Sequence, residues 1–330
     1  MSAGNILRII TALIMLPVNL FYALTGGFAV PEISRNDKYL FVHFTGNAPE
    51  CERIHFAVSE DGYNFIPLNS GKEIIIQNKG TGCVRDPFIL RGKDGFFYII
   101  GTDMKSELGW TSNHALVTWK SRDLINWTDE TIIDMRDFEG FEHCNRAWAP
   151  EAIWDENAKA YMVYWAISTQ ENDVAALYYA HTKDFKTLTP PQLLYERKGI
   201  QTIDGDIGYN EKNGYYYLYF KHDEDQKIAW VRSKKLTGPY EGESVVCSLS
   251  ENGVEGSTIY PINGTDTYVM IMDEYGTGSF FMQQTKDFED FRPVRKEAFG
   301  FENVNPRHGS VVSITDEEYA RLIEAFETAE

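Results

Sequence analysis

Apolar and polar positions alternate in short runs along almost the whole chain, and the runs return in a fixed order. A polar or acidic lead-in opens a short apolar strand, a Gly/Asn turn follows, and an aromatic strand comes next. The phrase reads VRDPFI at 84–89 with GFFYII at 95–100, WAPEAI at 148–153 with YMVYW at 161–165, and TIDGDI at 202–207 with GYYYLYF at 214–220. It returns as VEGSTI at 254–259 with YVMIM at 268–272, and as RHGSVV at 307–312. Short runs of this kind, bounded by turn residues, predict strands. Taking Asp86, Ala149, Asp204, Glu255 and His308 as equivalent points, the steps are 63, 55, 51 and 53 residues. A repeat of about 40–50 residues built from four short strands marks a propeller blade. The larger first step predicts longer loops there.

A second phrase recurs once per repeat: SEDGYNF at 59–65, SRDLINW at 121–127, TKDF at 182–185, SKKLTGPY at 233–240 and TKDFEDF at 285–291. Ser/Thr and Asp bond nearby backbone groups and set a turn, and the aromatic that follows packs beneath it. These Asp residues read as structural. Three further strand patterns, at 39–44, 53–58 and 63–67, lack the lead-in. The first strand of their blade is supplied by residues 309–314, from the other end of the chain. Pairing N-terminal strands with a C-terminal one closes the ring without leaving a sheet edge. The expected fold is therefore all-β, a single five-bladed β-propeller over residues 34–330. It ends in a short helix over 316–327, capped near Thr315 or Asp316.

Composition narrows the picture. The 330 residues are 43% hydrophobic and 14% aromatic, enough for a large core. A net charge of −18 argues against nucleic acid as a partner and suits a neutral ligand. Cys51, Cys83, Cys144 and Cys247 show neither a CxxC pair nor zinc spacing and read as buried thiols. Residues 9–29 are strongly apolar, preceded by Arg8 and ended by small residues. The segment 1–33 thus resembles a secretory signal or membrane anchor, which points to an exported protein, periplasmic, secreted or anchored. The contrary reading is an amphipathic helix packed on the domain of a cytoplasmic protein. No other stretch is long and apolar enough to span a bilayer.

In a propeller the first strand of every blade lines the central channel, so equivalent positions converge on one axis. Three of them hold carboxylates, Asp86, Asp204 and Glu255. The fifth holds His308, and the second sets Trp148 beside Ala149. Like charges and burial in a narrow channel raise at least one carboxyl pKa. Glycoside hydrolysis has that demand: one carboxylate activates water or attacks, and another protonates the leaving oxygen. The contrary reading is that each acid caps a loop or holds Arg85 or Arg307. Trp110, Trp148, Phe141 and His143 lie in or beside the long insertions and are candidates both for the wall of a sugar pocket and for core packing.

The order Asp86-Pro87, Trp148-Ala149-Pro150, Ile203-Asp204, Glu255-Gly256, His308-Gly309 over five blades resembles glycoside hydrolase family 43. The resemblance covers residues 38–314. It implies an inverting hydrolase in which Asp86 is the base that activates water and Glu255 the acid on the leaving group. Asp204 would orient Glu255, raise its pKa and help hold the sugar. Arg85, Trp110, Trp148, Arg307, His308 and Asp206 are the candidate substrate contacts. His308 looks like a channel histidine that sits near a buried ion or water in relatives, so a structural Ca²⁺ is admitted there, although that ion prefers oxygen ligands. No cofactor is required. The implied carbohydrate substrate is a plant cell-wall sugar, a terminal α-L-arabinofuranoside or β-D-xyloside. The third copy reads Ile-Asp-Gly-Asp where the family often has Ile-Asp-Pro, so Asp206 competes with Asp204 for its role. The alternatives are a non-catalytic carbohydrate-binding propeller, a retaining β-fructosidase and a mannoside phosphorylase. The fructosidase pattern lacks its earlier Asn-Asp-Pro nucleophile phrase in this chain.

Overall fold

The computed structural model describes residues 38–327. The signal-like segment 1–33 lies outside the described residues. The described residues open with β1 (Lys38–His43), β2 (His55–Ser59) and β3 (Asn64–Pro67). Blade I follows as β4 (Val84–Arg91), β5 (Phe97–Asp103), β6 (Ala115–Ser121) and β7 (Thr128–Asp134). Blade II is β8 (Cys144–Asp155), β9 (Ala160–Thr169), β10 (Ala176–Thr182) and β11 (Gln192–Tyr195). Blade III is β12 (Thr202–Asn210), β13 (Tyr215–His222), β14 (Lys227–Ser233) and β15 (Glu241–Val246). Blade IV is β16 (Glu255–Pro261), β17 (Tyr268–Glu274), β18 (Ser279–Thr285) and β19 (Phe291–Pro293). The chain returns through β20 (Gly300–Phe301) and β21 (Gly309–Ile314) and ends in α1 (Asp316–Glu327).

Each blade is an antiparallel meander, as two-residue alternation and short turns dictate. The closing blade V has the order β20-β3-β2-β1-β21, so its innermost strand comes from the C-terminal side. The pairing runs from Lys38↔Ile314 to His43↔Gly309. The first strands pack in a closed circle, β4 on β8, β8 on β12, β12 on β16, β16 on β21 and β21 on β4. The protein is a five-bladed β-propeller. Strand β20 is absent from the sequence reading; it pairs in parallel with the edge strand β3 over two residues.

One apolar cluster fills each junction between neighbouring blades. Aromatic side chains such as Trp165, Tyr217, Phe41 and Phe97 are fully buried there. Each contributes about 1.5–3 kcal/mol by burial. The recurrent turn phrase belongs to these junctions. Phe185, in the turn of blade II, stacks on Tyr98 of blade I at 4.3 Å, and Thr118 of blade I donates to its carbonyl. Phe288 of blade IV packs on Tyr217 of blade III, and Tyr219 donates to its carbonyl. Helix α1 begins with a capping box: Thr315 N donates to Glu318 Oε2 at 2.8 Å and Glu318 N to Thr315 Oγ1 at 3.1 Å. Arg91 of β4 grips the same Glu318 with both guanidinium nitrogens.

Candidate active site

Four of the five innermost strands are interrupted in the same way, whereas β21 runs in unbroken register. Register breaks fall between Arg85 and Phe88, Trp148 and Glu151, Ile203 and Asp206, and Glu255 and Thr258. Each break is a bulge whose left-handed residue is Asp86 (φ 49), Ala149 (φ 47), Asp204 (φ 54) or Gly256 (φ 55). This corrects the equivalence drawn from spacing. Asp86 and Asp204 share the bulge position, whereas Glu255 stands one residue earlier, in the place of Arg85, Trp148 and Ile203. Because a one-residue step turns a side chain to the other face, the bulge is what lets acids in different register meet.

They meet in an axial cavity of about 80 Å³ lined by Arg85, Asp86, Met104, Trp110, Trp148, Ile203, Asp204, Glu255 and His308. Larger grooves open at blade edges, about 620 Å³ beside His181 and Thr189 and about 450 Å³ beside Phe299 and Pro306, but neither gathers acids from different blades.

Asp86 Oδ2 accepts from the Thr102 hydroxyl at 2.9 Å, and Thr102 Oγ1 in turn accepts from Ala149 N at 2.8 Å. His308 Nδ1 stands 3.6 Å from the other Asp86 oxygen. Asp204 is buried, and its Oδ2 accepts from Gly256 N at 3.0 Å, which fixes the backbone that carries Glu255. Burial, then the charges of Glu255 and Asp86, push the Asp204 carboxyl up to about 6 against the opposing pull of His308 and Lys221. Glu255 is held by cations on both oxygens, Lys221 Nζ at 2.9 Å on Oε2 and Arg307 Nη2 at 3.2 Å on Oε1.

Other predicted residues take different posts. Arg85 lines the cavity but does not hold Asp86. It pairs with buried Glu52 at 3.0 Å and Asn47 at 2.8 Å, its guanidinium between the rings of Phe44 and Trp110. Arg307 stands behind Glu255 and donates through Nε to Asp273 Oδ2 at 2.5 Å. Trp110 is half exposed and meets Trp148 edge-on at 6.4 Å. Phe141 and His143 are not brought to the cavity: Phe141 packs on Tyr178 and His143 pairs with Glu171.

Asp206 is not in the cavity wall either. It lies one step along the channel, buried against the Glu151 carboxyl of blade II. Asp206 Oδ2 accepts from Ile259 N at 2.7 Å and Glu151 Oε2 from the Tyr164 hydroxyl at 2.7 Å. Burial raises both carboxyls, Asp206 to about 7 and Glu151, beside the Asp206 charge, well above its usual value. The pair therefore favours holding a proton to a higher pH than a free carboxyl would.

Sequence reasoning missed Thr102, Lys221 and Asp273. All three sit on second strands, opposite Arg85, Ile203 and Glu255. The available signal was a polar residue at the end of an otherwise apolar or aromatic strand, as in YYYLYFKH and YVMIMDE.

Residues 35–320 match the glycosyl hydrolase 43-related family model, described as "Probable glycosyl hydrolase domain". The chain belongs to this family. As a member of the glycosyl hydrolase 43-related family it is 28% identical over 246 residues to an alpha-L-arabinofuranosidase of Bifidobacterium longum subsp. longum, which covers 63% of this chain. The matched region spans 22% of that longer relative. Its fold is shared with an exo-1,5-alpha-L-arabinanase from a bovine ruminal metagenomic library, at a TM-score of 0.57 and 19% identity over 81% of this chain and 95% of the other. It is shared also with an alpha-L-arabinofuranosidase from Clostridium thermocellum, at a TM-score of 0.57 and 11% identity over 85% and 92%.

The donors at His308 do not fit the calcium ion that the resemblance admits. Calcium takes six to eight oxygens, and His308 brings an imidazole nitrogen with Asp86 as its acidic neighbour. Among the described residues no group of three or more His, Cys, Asp or Glu is arranged to hold a metal.

Proposed function

We propose that this family member is an inverting glycoside hydrolase that releases a terminal α-L-arabinofuranosyl or β-D-xylosyl residue from plant cell-wall oligosaccharides. The observation that carries the reading is the convergence of Asp86, Asp204 and Glu255, from three blades, on one small cavity with His308 and two tryptophans. In this reading Asp86 takes a proton from the attacking water, with Thr102 holding its second oxygen. Glu255 protonates the leaving oxygen from the opposite side. Asp204 carries the amide of Gly256 and so sets the height of Glu255. The relative named an arabinofuranosidase favours the pentoside. The apolar segment 1–33 supports export of the domain to where such glycans are met.

The test is release of nitrophenol from aryl α-L-arabinofuranoside, β-D-xyloside, β-D-galactoside and β-D-fructofuranoside by wild type and Glu255→Gln. The expected result is turnover of one pentoside, lowered at least about 100-fold in the variant, with the inverted anomer seen first by proton NMR. Retention of configuration overturns the mechanism. Silence with aryl glycosides and natural oligosaccharides alike overturns the function.

A further inference from the structure

The second strands of blades I, III and IV each carry a polar group addressed to the next blade. Thr102 of blade I accepts from Ala149 N of blade II. Lys221 of blade III bonds Glu255 of blade IV. Asp273 of blade IV bonds Arg307 at the mouth of blade V. Thr102 of this set touches Asp86, and Lys221 is the member that touches Glu255, the proposed proton donor. Its ammonium is fixed from three sides: Glu255 Oε2 at 2.9 Å, the Tyr275 ring at 4.7 Å and Asp223 at 3.8 Å. Burial alone would lower its basicity, and Glu255 and Asp204 more than offset that. Lys221 therefore stays charged in the site.

We propose that Lys221 is a positioning residue that sets the strength of Glu255 as a proton donor and receives the carboxylate formed when the proton leaves. The inference rests on the hydrolytic reading above. In the step, the Glu255 proton passes to the glycosidic oxygen as the bond from the anomeric carbon to that oxygen breaks, and water, deprotonated by Asp86, supplies the new bond. Negative charge appears on Glu255 at the moment of cleavage, and an ammonium 2.9 Å away stabilises it without moving. The other charged groups around Glu255 are Arg307 from the segment before β21, Asp204 from β12 and Asp273 from β17, with His308 and Asp86 across the cavity. Arg307 is shared with Asp273, whose carboxylate takes much of its charge. Lys221 has no other partner as close as Glu255.

The experiment compares wild type with Lys221→Met, Lys221→Gln and Lys221→Arg. The first readout is the pH profile of kcat/KM on the pentoside that wild type cleaves. An opposite charge at this range shifts a carboxyl by about 1–3 units, so Met and Gln are expected to move the alkaline limb up by about one unit or more, and Arg to leave it in place. Gln keeps a hydrogen-bond donor and loses the charge, so it covers the case in which Met fails to fold. The second readout needs no turnover: the ¹³C carboxyl titration of Glu255, assigned by its absence from Glu255→Gln, rises in the same two variants. Limb and titration both unmoved overturns the proposal. A wild type that cleaves nothing refutes the hydrolytic reading, while the carboxyl titration still decides whether Lys221 governs Glu255.

Discussion

Gly256 occupies a place where the backbone angle disfavours a side chain and a neighbouring ring excludes one. Its φ is +55°, and an added Cβ would stand 2.3 Å from His308 Cγ. Asp86 and Asp204 tolerate the same left-handed region because Asp visits it more readily than most residues. Gly256→Ala is expected to lose about 1–2 kcal/mol from the backbone alone, read as a lower denaturant midpoint. It should also displace His308 from Asp86, so that kcat/KM falls at least tenfold while the chain stays folded. The acids themselves were legible in the sequence, because they recur at repeat spacing. Their register was not. A bulge adds a residue without changing residue type, so spacing counted Glu255 as the equal of Asp86, when Gly256 is. The glycine after Glu255 was the one visible sign.

At the scale of elements, the turn phrase is the best-read feature of the chain. In blade I, Asp123 Oδ1 accepts from Ile125 N at 3.0 Å and Asn126 N at 2.8 Å, and Ser121 Oγ accepts from Leu124 N at 3.0 Å. Blades II, IV and V repeat the pattern at Asp184, Asp287 and Asp61. These bonds hold the carboxylates of Asp61, Asp123, Asp184 and Asp287 below their usual range, in opposition to burial. Blade III departs from it: Lys235 replaces the Asp, and the turn closes through a cis Gly238–Pro239 bond. Asp123→Ala is expected to lower stability by about 1–2 kcal/mol, with kcat/KM on the pentoside unchanged, since the turn faces the blade I–V junction and not the cavity. A fall in kcat/KM at full folding would contradict the structural reading. Strand β20 was illegible because two residues carry no period, and its parallel pairing follows from the return path of the chain and not from local pattern.

For the molecule as a whole, the raised carboxyls of Glu151 and Asp206 couple stability to pH. Both carboxyls have folded values above their unfolded ones, so their contribution is complete below about pH 4 and is lost as the pH rises through their folded values, about 7 for Asp206 and well above the usual range for Glu151. The buried imidazoles His43 and His55 run the other way, with burial lowering both below 6.5. Above about pH 7.5 they are neutral folded and unfolded alike, and between about pH 6.5 and 7.5 the remaining protonation of the unfolded imidazoles only partly opposes the carboxyl effect. Thermal unfolding between pH 6.5 and 8 is therefore expected to show a falling Tm. One retained proton over that interval is worth roughly 2 kcal/mol. Glu151→Gln replaces the proton with a permanent amide donor and should flatten the fall; an equal fall in the variant would place its origin elsewhere. The ring and its closing blade could be read from the order of the repeats, because both ends of the chain carry unmatched halves of one blade. The Glu151–Asp206 contact could not, because it joins two blades through side chains whose meeting depends on the bulges.

The closing pair has a mechanical consequence. Residues 38 and 314 face each other at one end of β1 and β21, and His43 faces Gly309 at the other. Tension applied at Lys38 and Ile314 therefore peels the pair rung by rung, like a zip, and never loads all its hydrogen bonds together as a lap joint would. The peel starts at the end remote from His308 and reaches the rung beside the cavity last. A propeller closed in this way resists pulling weakly, yet the segment that carries Arg307 and His308 is the final part of its clasp to let go.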